Sequence, residues 1–274
     1  MHIRHDAVHN GTWTSAGGRC SHLTMTFVFV NGVPVTSAVW TPLINELSAS
    51  QRQETVVLSP PGFGAPLPPG FGATFTEYRD WLIDELSRFE EPVDVVGHDF
   101  GGGYALEVAM ARPDLLRSWV SDTIGGYEPD FVWHEIARLW QTPGEGERHI
   151  EGIFSGDVEE RAARMVDWGI PRPTAGEVAL GQGPSMGRAI LALYRSVPPA
   201  VLAERGRDLP AAAATPGLVP IATEDHTAGS TALRRRAAGR AGARTAELDG
   251  LGHWWMLQDP ARAARMLSDF WSTL

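Results

Sequence analysis

Six short apolar runs, separated from one another by helical or loop patterns, constrain the fold of this sequence more than any other feature. They are rich in β-branched and aromatic residues, as expected for strands that are covered on both faces. The runs are Thr26–Val30, Thr55–Ser59, Val93–Gly97, Arg117–Ser121, Gly217–Thr223 and Arg244–Leu248. Because they alternate with helical patterns, they predict an α/β fold with a doubly wound, mostly parallel sheet.

Helix signals stand between these runs. Thr74 and Glu77 have the spacing of a capping box and precede a hydrophobic stripe of helical period. Near the end of the chain, Asp259 before Pro260 is typical of a helix start. The longest basic run, Arg234–Arg236, is expected to be the solvent-exposed face of a helix.

One long stretch carries no strand signal. Between about Glu128 and Arg205, Trp, Pro and Gly are frequent and several helical patterns occur. We expect a helical cap insertion over the carboxyl edge of the sheet, where open α/β sheets bind their ligands. This interpretation divides the chain into a first part of the core (residues 1–127), a cap (128–205) and a second part of the core (206–274).

Composition excludes several classes of function. The formal net charge of −10 argues against nucleic acid and anionic membranes as partners. The single cysteine, Cys20, excludes an internal disulfide framework, and no apolar run approaches the ~20 residues of a membrane span. With no apolar segment of signal-peptide type, we expect a cytoplasmic protein. The nine histidines form no ligand-spaced cluster, so we expect no metal and no cofactor.

The third apolar run ends in a tight turn, Gly97–Gly101, with the sequence GHDFG. Glycines at both ends allow a sharp strand-to-helix turn that points the central side chain, Asp99, away from the backbone. The amides at the start of the following helix direct partial positive charge at the same place. Asp99 is therefore either a nucleophile or the N-cap of a ligand-binding turn.

An aspartate at this position favours one kind of reaction. With an ordinary pKa of ~3.9 the carboxylate is ionised at neutral pH and needs no base to become nucleophilic. Its attack on an ester would give only an anhydride. Its attack on a saturated carbon that carries a halide or a strained oxygen gives a stable alkyl ester.

The turn resembles the nucleophile elbow of the α/β-hydrolase superfamily, and in particular the aspartate-nucleophile branch that contains epoxide hydrolases and haloalkane dehalogenases. The resemblance runs from about Thr26 to the C-terminus. Asn31–Trp40 is similar to the family's HGxP loop, and Leu58–Pro66 is similar to its glycine-rich loop. The segment Leu248–Trp271 resembles the part of the family that carries the catalytic histidine.

This resemblance implies a set of catalytic residues. His253 would be the base that activates water, and Asp225, just past a strand, would be the acid of the triad. Asp122, which follows the strand after the elbow helix, is the alternative position for that acid. The backbone N–H groups of Val33 and Phe100 would form the oxyanion hole. The Val33–Pro34 peptide bond is a candidate for the cis form.

The same resemblance bears on the substrate. Tyr194 lies in a context similar to that of a cap tyrosine that donates to an epoxide oxygen, and Trp133 and His134 stand near the place of the second tyrosine, so all three are expected to bind substrate. Phe100 and Val33 replace residues that haloalkane dehalogenases use as halide donors. We therefore expect an epoxide hydrolase that acts on a small hydrophobic substrate and water. The alternatives are a dehalogenase with the same nucleophile and a non-hydrolytic ligand-binding relative; the oligomeric state stays open.

Overall fold

A single six-stranded sheet forms the centre of the protein, in a computed structural model that describes residues 25–274. The strands are β1 (Phe27–Val30), β2 (Thr55–Leu58), β3 (Val93–Gly97), β4 (Leu116–Ser121), β5 (Gly217–Ala222) and β6 (Arg244–Leu248). They lie in the order β2-β1-β3-β4-β5-β6, and every neighbouring pair is parallel. Each of the six apolar runs is a strand, so the prediction of an α/β fold with a mostly parallel sheet is confirmed.

Helices connect the strands. Within the described residues the α-helices are α1 (Thr41–Glu46), α2 (Ala49–Gln53), α3 (Phe75–Leu86), α4 (Phe100–Ala111), α5 (Glu135–Gln141), α6 (Glu145–Phe154), α7 (Val158–Asp167), α8 (Arg172–Gly181), α9 (Pro184–Ser196), α10 (Pro199–Arg205), α11 (Thr231–Arg240), α12 (Trp255–Gln258) and α13 (Pro260–Trp271). Short 3₁₀ helices lie at Ser37–Trp40, Pro113–Leu115, Ile124–Tyr127 and Gly206–Ala214. No helix of residues 25–274 is long and apolar enough to cross a membrane. Cys20 lies outside the described residues.

Both faces of the inner part of the sheet are buried, as strand β1 illustrates. Its side chains alternate, so that Val28 and Val30 join the hydrophobic cluster under α3 and α4, while Phe27 and Phe29 join the cluster under α1 and α13. All four side chains are almost fully buried. Burial of each such side chain contributes on the order of 1.5–3 kcal/mol to the free energy of unfolding. The sheet thus has a helical layer on each face.

The predicted helix starts are confirmed. In the capping box of α3, Glu77 N donates to Thr74 Oγ1 and Thr74 N donates to Glu77 Oε2. Helix α13 begins at Pro260, and its N-cap Asp259 accepts a hydrogen bond from Arg262 N at 3.0 Å.

Six helices, α5 to α10, occupy the chain between β4 and β5. Side chains from this part of the chain and side chains from the sheet's carboxyl edge line one common cavity. The cap boundaries at residues 128 and 205 stay a prediction.

The basic run of α11 departs from its prediction. Arg235 and Arg236 are exposed, but Arg234 is only 1% exposed. Its guanidinium donates to Ala222 O at 3.0 Å and to Asp225 O at 2.9 Å. The prediction of a solvent-exposed face is therefore wrong for Arg234, because α11 packs against β5 along the side of the helix that carries this residue.

Glycine is required where α4 approaches β3. A Cβ atom added at Gly97 would lie 2.2 Å from Gly101 O, and one added at Gly101 would lie 2.3 Å from Val30 O. Both neighbours are backbone atoms that cannot rotate away. The close approach brings the start of α4 against the ends of β1 and β3.

We expect Gly97→Ala to lower the free energy of unfolding by more than ~2 kcal/mol, because the added methyl group overlaps backbone atoms. The measurement is a urea unfolding curve followed by circular dichroism. The control, Gly176→Ala in α8, adds a Cβ with no neighbour within 4 Å and is expected to stabilise by ~0.5–1 kcal/mol. Equal midpoints for the two variants would contradict this account of the β3–α4 contact.

Candidate active site

Asp99 occupies a strained turn at the tip of β3. Its φ of 53° and ψ of −128° lie in a region that side-chain-bearing residues rarely adopt. Two residues that follow β4 hold its peptide groups: Asp99 N donates to Asp122 Oδ1 at 2.9 Å, and Thr123 Oγ1 donates to Asp99 O at 2.8 Å. These hydrogen bonds from the segment after β4 hold Asp99 in its strained conformation. In this conformation the carboxylate lines the cavity described below.

The Asp99 carboxylate is held by backbone amides. Val33 N donates to Asp99 Oδ2 at 2.8 Å, and a Cβ at Gly32 would lie only 2.4 Å from the same oxygen. Burial raises the pKa of Asp99, and the opposing effects of His253, His98 and the amides of Val33 and Phe100 do not cancel it. The two amides predicted to form the oxyanion hole therefore both act on this carboxylate.

The loop that carries Val33 is organised by Asn31. Asn31 Nδ2 donates to Gly32 O at 3.0 Å and to Val35 O at 3.1 Å. The Val33–Pro34 peptide bond is cis, as expected. Gln182 Nε2, from the segment between α8 and α9, donates to Pro34 O at 3.2 Å. Asn31 thus holds this loop at a position where the family that the sequence resembles has histidine.

His253 contacts Asp225. The distance from His253 Nδ1 to Asp225 Oδ2 is 3.2 Å, and Asp225 is 2% exposed. Thr227 lies between them: its Oγ1 is 2.6 Å from Asp225 Oδ1 and 2.9 Å from His253 Nδ1, and its N donates to Asp225 Oδ1 at 2.8 Å. Thr227 is not among the residues predicted for the site, and the Asp-x-Thr spacing of a side-chain turn is the feature of the sequence that indicates it.

The charges of this group are coupled. Burial acts to lower the pKa of His253, but the charge and hydrogen bond of Asp225, with the charges of Asp99 and Asp122, raise it to about 9. Burial acts to raise the pKa of Asp225, yet His253 and Thr227 hold it well below its ordinary range. At neutral pH the site therefore contains a protonated His253 beside the ionised carboxylate of Asp225.

Asp122 has other partners. Its Oδ2 lies 2.5 Å from His98 Nδ1 and accepts from Trp255 Nε1 at 2.8 Å, while its Oδ1 accepts from Asp99 N. The side chain is buried, and these contacts direct both oxygens to groups other than His253. Of the two candidate acids, the structure therefore pairs Asp225 with His253 and uses Asp122 to hold the turn.

A cavity of about 300 Å³ opens above Asp99. The predicted substrate-binding residues Tyr194, Trp133 and His134 all line it. Around its floor the ring centroids of Phe100 and Tyr194 are 4.9 Å apart, and those of Trp133 and Tyr194 are 5.3 Å apart. Burial and the charge of Asp99 raise the pKa of Tyr194 well above its ordinary value, so the phenol stays protonated.

Most of the indole N–H groups around the cavity donate hydrogen bonds to acceptors within the protein. Trp133 Nε1 donates to Val197 O at 3.1 Å, Trp140 Nε1 donates to His149 Nδ1 at 2.9 Å, and Trp254 Nε1 donates to Trp168 O at 2.8 Å. These tryptophans present apolar surface to a ligand. Among the described residues, no group of three or more His, Cys, Asp or Glu side chains is placed to hold a metal ion.

A family model described as the alpha/beta hydrolase family matches residues 27–266. This chain belongs to the alpha/beta hydrolase family. The same fold occurs in a haloalkane dehalogenase from Bradyrhizobium elkani, with a TM-score of 0.65, 20% identity and 94% of each chain covered. It also occurs in E-2-(acetamidomethylene)succinate hydrolase, with a TM-score of 0.67, 21% identity and coverage of 90% of this chain and 91% of that one.

A curated relative shares a shorter segment with this alpha/beta hydrolase. The (E)-2-((N-methylformamido)methylene)succinate hydrolase of Acinetobacter baylyi is 28% identical over 91 residues. The match spans about a third of either protein, 33% of this chain and 34% of the relative.

We expect Asp225→Asn to lower the pKa of His253 from about 9 to below ~7, because the amide removes the largest influence that favours the charged imidazole. Histidine ¹H–¹⁵N spectra recorded across pH, with His253→Gln to assign the signal, measure this value. Asp249→Asn, on the exposed turn before His253, is the control and leaves the pKa at about 9. If Asp122→Asn lowered the value more than Asp225→Asn does, the assignment of the His253 partner would be wrong.

Proposed function

We propose that this alpha/beta hydrolase opens an epoxide through a covalent alkyl ester of Asp99. The observation that carries the proposal is the contact of the Val33 amide with the carboxylate of Asp99 itself. Oxyanion donors stabilise the oxygen on which negative charge develops. Here that oxygen belongs to the enzyme's own side chain, as it would when an Asp99 ester is hydrolysed.

In the first step, Asp99 Oδ1 attacks one carbon of the epoxide, because Oδ2 is held by Val33 N. The ring C–O bond breaks and its electron pair stays on the departing oxygen. Tyr194 transfers its phenol proton to that oxygen. The products are an Asp99 ester, a hydroxyl group on the adjacent carbon and a Tyr194 phenolate.

Ester formation changes the state of His253. The charge of Asp99 is one of the influences that raise the pKa of His253. Once Asp99 is esterified this charge is gone, so the pKa of His253 falls. His253 then loses its proton, and the Tyr194 phenolate is protonated in exchange. A neutral imidazole is the form that can act as a general base.

In the second step, neutral His253 removes a proton from water, and the resulting hydroxide adds to the carbonyl carbon of Asp99. Negative charge forms on Oδ2, to which the amide of Val33 donates, and the amide of Phe100 acts on the same carboxyl group. The bond between this carbon and Oδ1 then breaks, and the alkoxide takes the proton from His253 to leave as a diol. Asp99, now a carboxylic acid, returns a proton to His253 and restores the initial state.

The cavity lining favours a neutral substrate with an aryl group. Of the described residues that line it, none is Arg or Lys, and many are aromatic. A carboxylated substrate would meet the negative charge of Asp99, and the cation beside it, His253, is already paired with Asp225. The related hydrolases named above act on succinate derivatives, and by this criterion we propose a different substrate class for this chain.

Halide release is less well supported. A departing halide needs at least two N–H donors, and three of the four tryptophans around the cavity donate to protein acceptors. Trp168 is the cavity indole that has no hydrogen-bond acceptor among the described residues. Phe100, next to the nucleophile, has no polar hydrogen on its side chain. The phenol of Tyr194 suits an alkoxide, which must be protonated.

The test traps the ester. His253→Gln retains the nucleophile but lacks the base, so incubation with styrene oxide is expected to add the mass of one whole epoxide to the protein. Peptide mapping should place the addition on Asp99, and Asp99→Asn in the same background should abolish it. A gain of only a benzyl group from benzyl bromide, with no reaction of styrene oxide, would favour a dehalogenase. No adduct with either probe would contradict the covalent mechanism and favour a ligand-binding protein.

A further inference from the structure

The loop of residues 31–36, called here the Val33 loop, is held through its carbonyl oxygens by two side-chain amides. Asn31 binds two of these carbonyl groups from within the loop. The other donor comes from a distant part of the chain: Gln182 Nε2, in the segment between α8 and α9, donates to Pro34 O at 3.2 Å. The Val33 amide therefore lies in a loop that is fixed from two sides.

The side chain of Gln182 is buried, and its contacts determine which way the amide points. It is 7% exposed and lies between Pro34 and Met165, whose Sδ atom is 3.2 Å from Gln182 Nε2. The reversed amide would place Oε1 against Pro34 O, and two acceptors repel each other. In the observed orientation Oε1 is buried and has no hydrogen-bond donor among the described residues.

Stability alone does not account for a glutamine at this position. A buried amide oxygen without a donor is unfavourable, and methionine would fill a similar volume without that oxygen. Close packing already joins the end of α8 to the Val33 loop, because a Cβ at Gly181 would lie only 2.7 Å from Thr36 Cγ2. What methionine cannot supply is the N–H donor to Pro34 O. The distinctive contribution of Gln182 is thus to fix the carbonyl group that follows Val33.

The position of the Val33 amide matters more in one half-reaction than in the other. During alkylation, the negative charge of the Asp99 carboxylate decreases as Oδ1 bonds to carbon. During ester hydrolysis, negative charge forms on Oδ2, which is a neutral carbonyl oxygen in the ester. A donor accelerates a step only where its hydrogen bond strengthens in the transition state. Misplacement of the Val33 amide should therefore slow hydrolysis of the ester and change alkylation little.

We propose that Gln182 is a positioning residue for ester hydrolysis, through which the predicted cap holds the Val33 loop in place. This inference rests on the proposed function. Gln182 does not line the cavity, and no bond to it forms or breaks in either step. It acts through Pro34 O on the amide of the preceding residue. The donor that meets the developing charge is thus correctly placed only while the segment between α8 and α9 contacts the loop.

The experiment follows a single turnover of styrene oxide by enzyme in molar excess, with acid quenching and intact mass. The rise and decay of the adduct, with the diol in the same samples, give the rates of alkylation and hydrolysis. For Gln182→Met we expect hydrolysis to slow by ~5-fold to ~50-fold and alkylation to change by less than ~3-fold. The thermal midpoint should stay within ~3 °C of that of the unsubstituted protein.

Gln141→Met is the matched control. It removes another side-chain amide of the predicted cap, which donates to Tyr194 O at 2.9 Å and not to the Val33 loop, so hydrolysis should stay within ~2-fold. Equal slowing of both steps in Gln182→Met, unchanged hydrolysis, or the same selective loss in the control would overturn the inference. If His253→Gln with Gln182 intact forms no adduct, the proposed function itself fails.

A second measurement needs no substrate. Amide hydrogen exchange, followed by NMR, should be at least ~5-fold faster at Val33 in Gln182→Met, because the loop that carries this amide has lost a contact. The amide of Phe100, in the elbow, should exchange at its original rate. Unchanged exchange at Val33, or an equal acceleration at both amides, would overturn the inference whatever the rates of turnover show.

Discussion

The conformation of Asp99 is the constraint on which the rest of the site depends. A non-glycine residue at a φ of 53° costs on the order of 1–3 kcal/mol and persists only where its surroundings determine it. Asp122 and Thr123 bind its two peptide groups, and glycines let α4 begin in contact with the ends of β1 and β3. The Asp99 carboxylate therefore lies in the cavity, where the backbone amides of Val33 and Phe100 act on it.

The site also depends on several buried charged groups that stabilise one another. Asp99, Asp122 and Asp225 are carboxylates close to the protonated His253, and Arg234 lies beneath them with its guanidinium on the carbonyl oxygen of Asp225. Burial lowers the pKa of Arg234, while the charges of Asp225 and Asp122 oppose that effect. An isolated buried charge is strongly unfavourable, so each of these groups is stabilised by its neighbours. In the mechanism that we propose, removal of the Asp99 charge by alkylation would shift this balance and make His253 available as a base.

The sequence predicted those features that depend on short-range pattern. The six strands follow from apolar β-branched runs, the capping box of α3 from the spacing of Thr74 and Glu77, and the elbow from its glycines. The order of the motifs favours the pairing of His253 with Asp225, but only geometry shows that Asp122 is occupied elsewhere. The burial of Arg234 depends on the packing of α11 against β5, which a run of three arginines does not reveal. The hydrogen bonds from the indoles of Trp133 and Trp254 to carbonyl oxygens 64 and 86 residues away in the chain are likewise tertiary.

The origin of the oxygen atom in the product tests the central claim most directly. The enzyme, in molar excess, is mixed with styrene oxide in H₂¹⁸O for a single turnover, and both the diol and the peptide that contains Asp99 are analysed by mass spectrometry. The ester mechanism predicts an unlabelled diol, because its new oxygen is the former Oδ1 of Asp99, and one ¹⁸O atom in the Asp99 peptide. A labelled diol with an unlabelled peptide would mean that water attacks the epoxide directly, and Asp99 would not be the nucleophile.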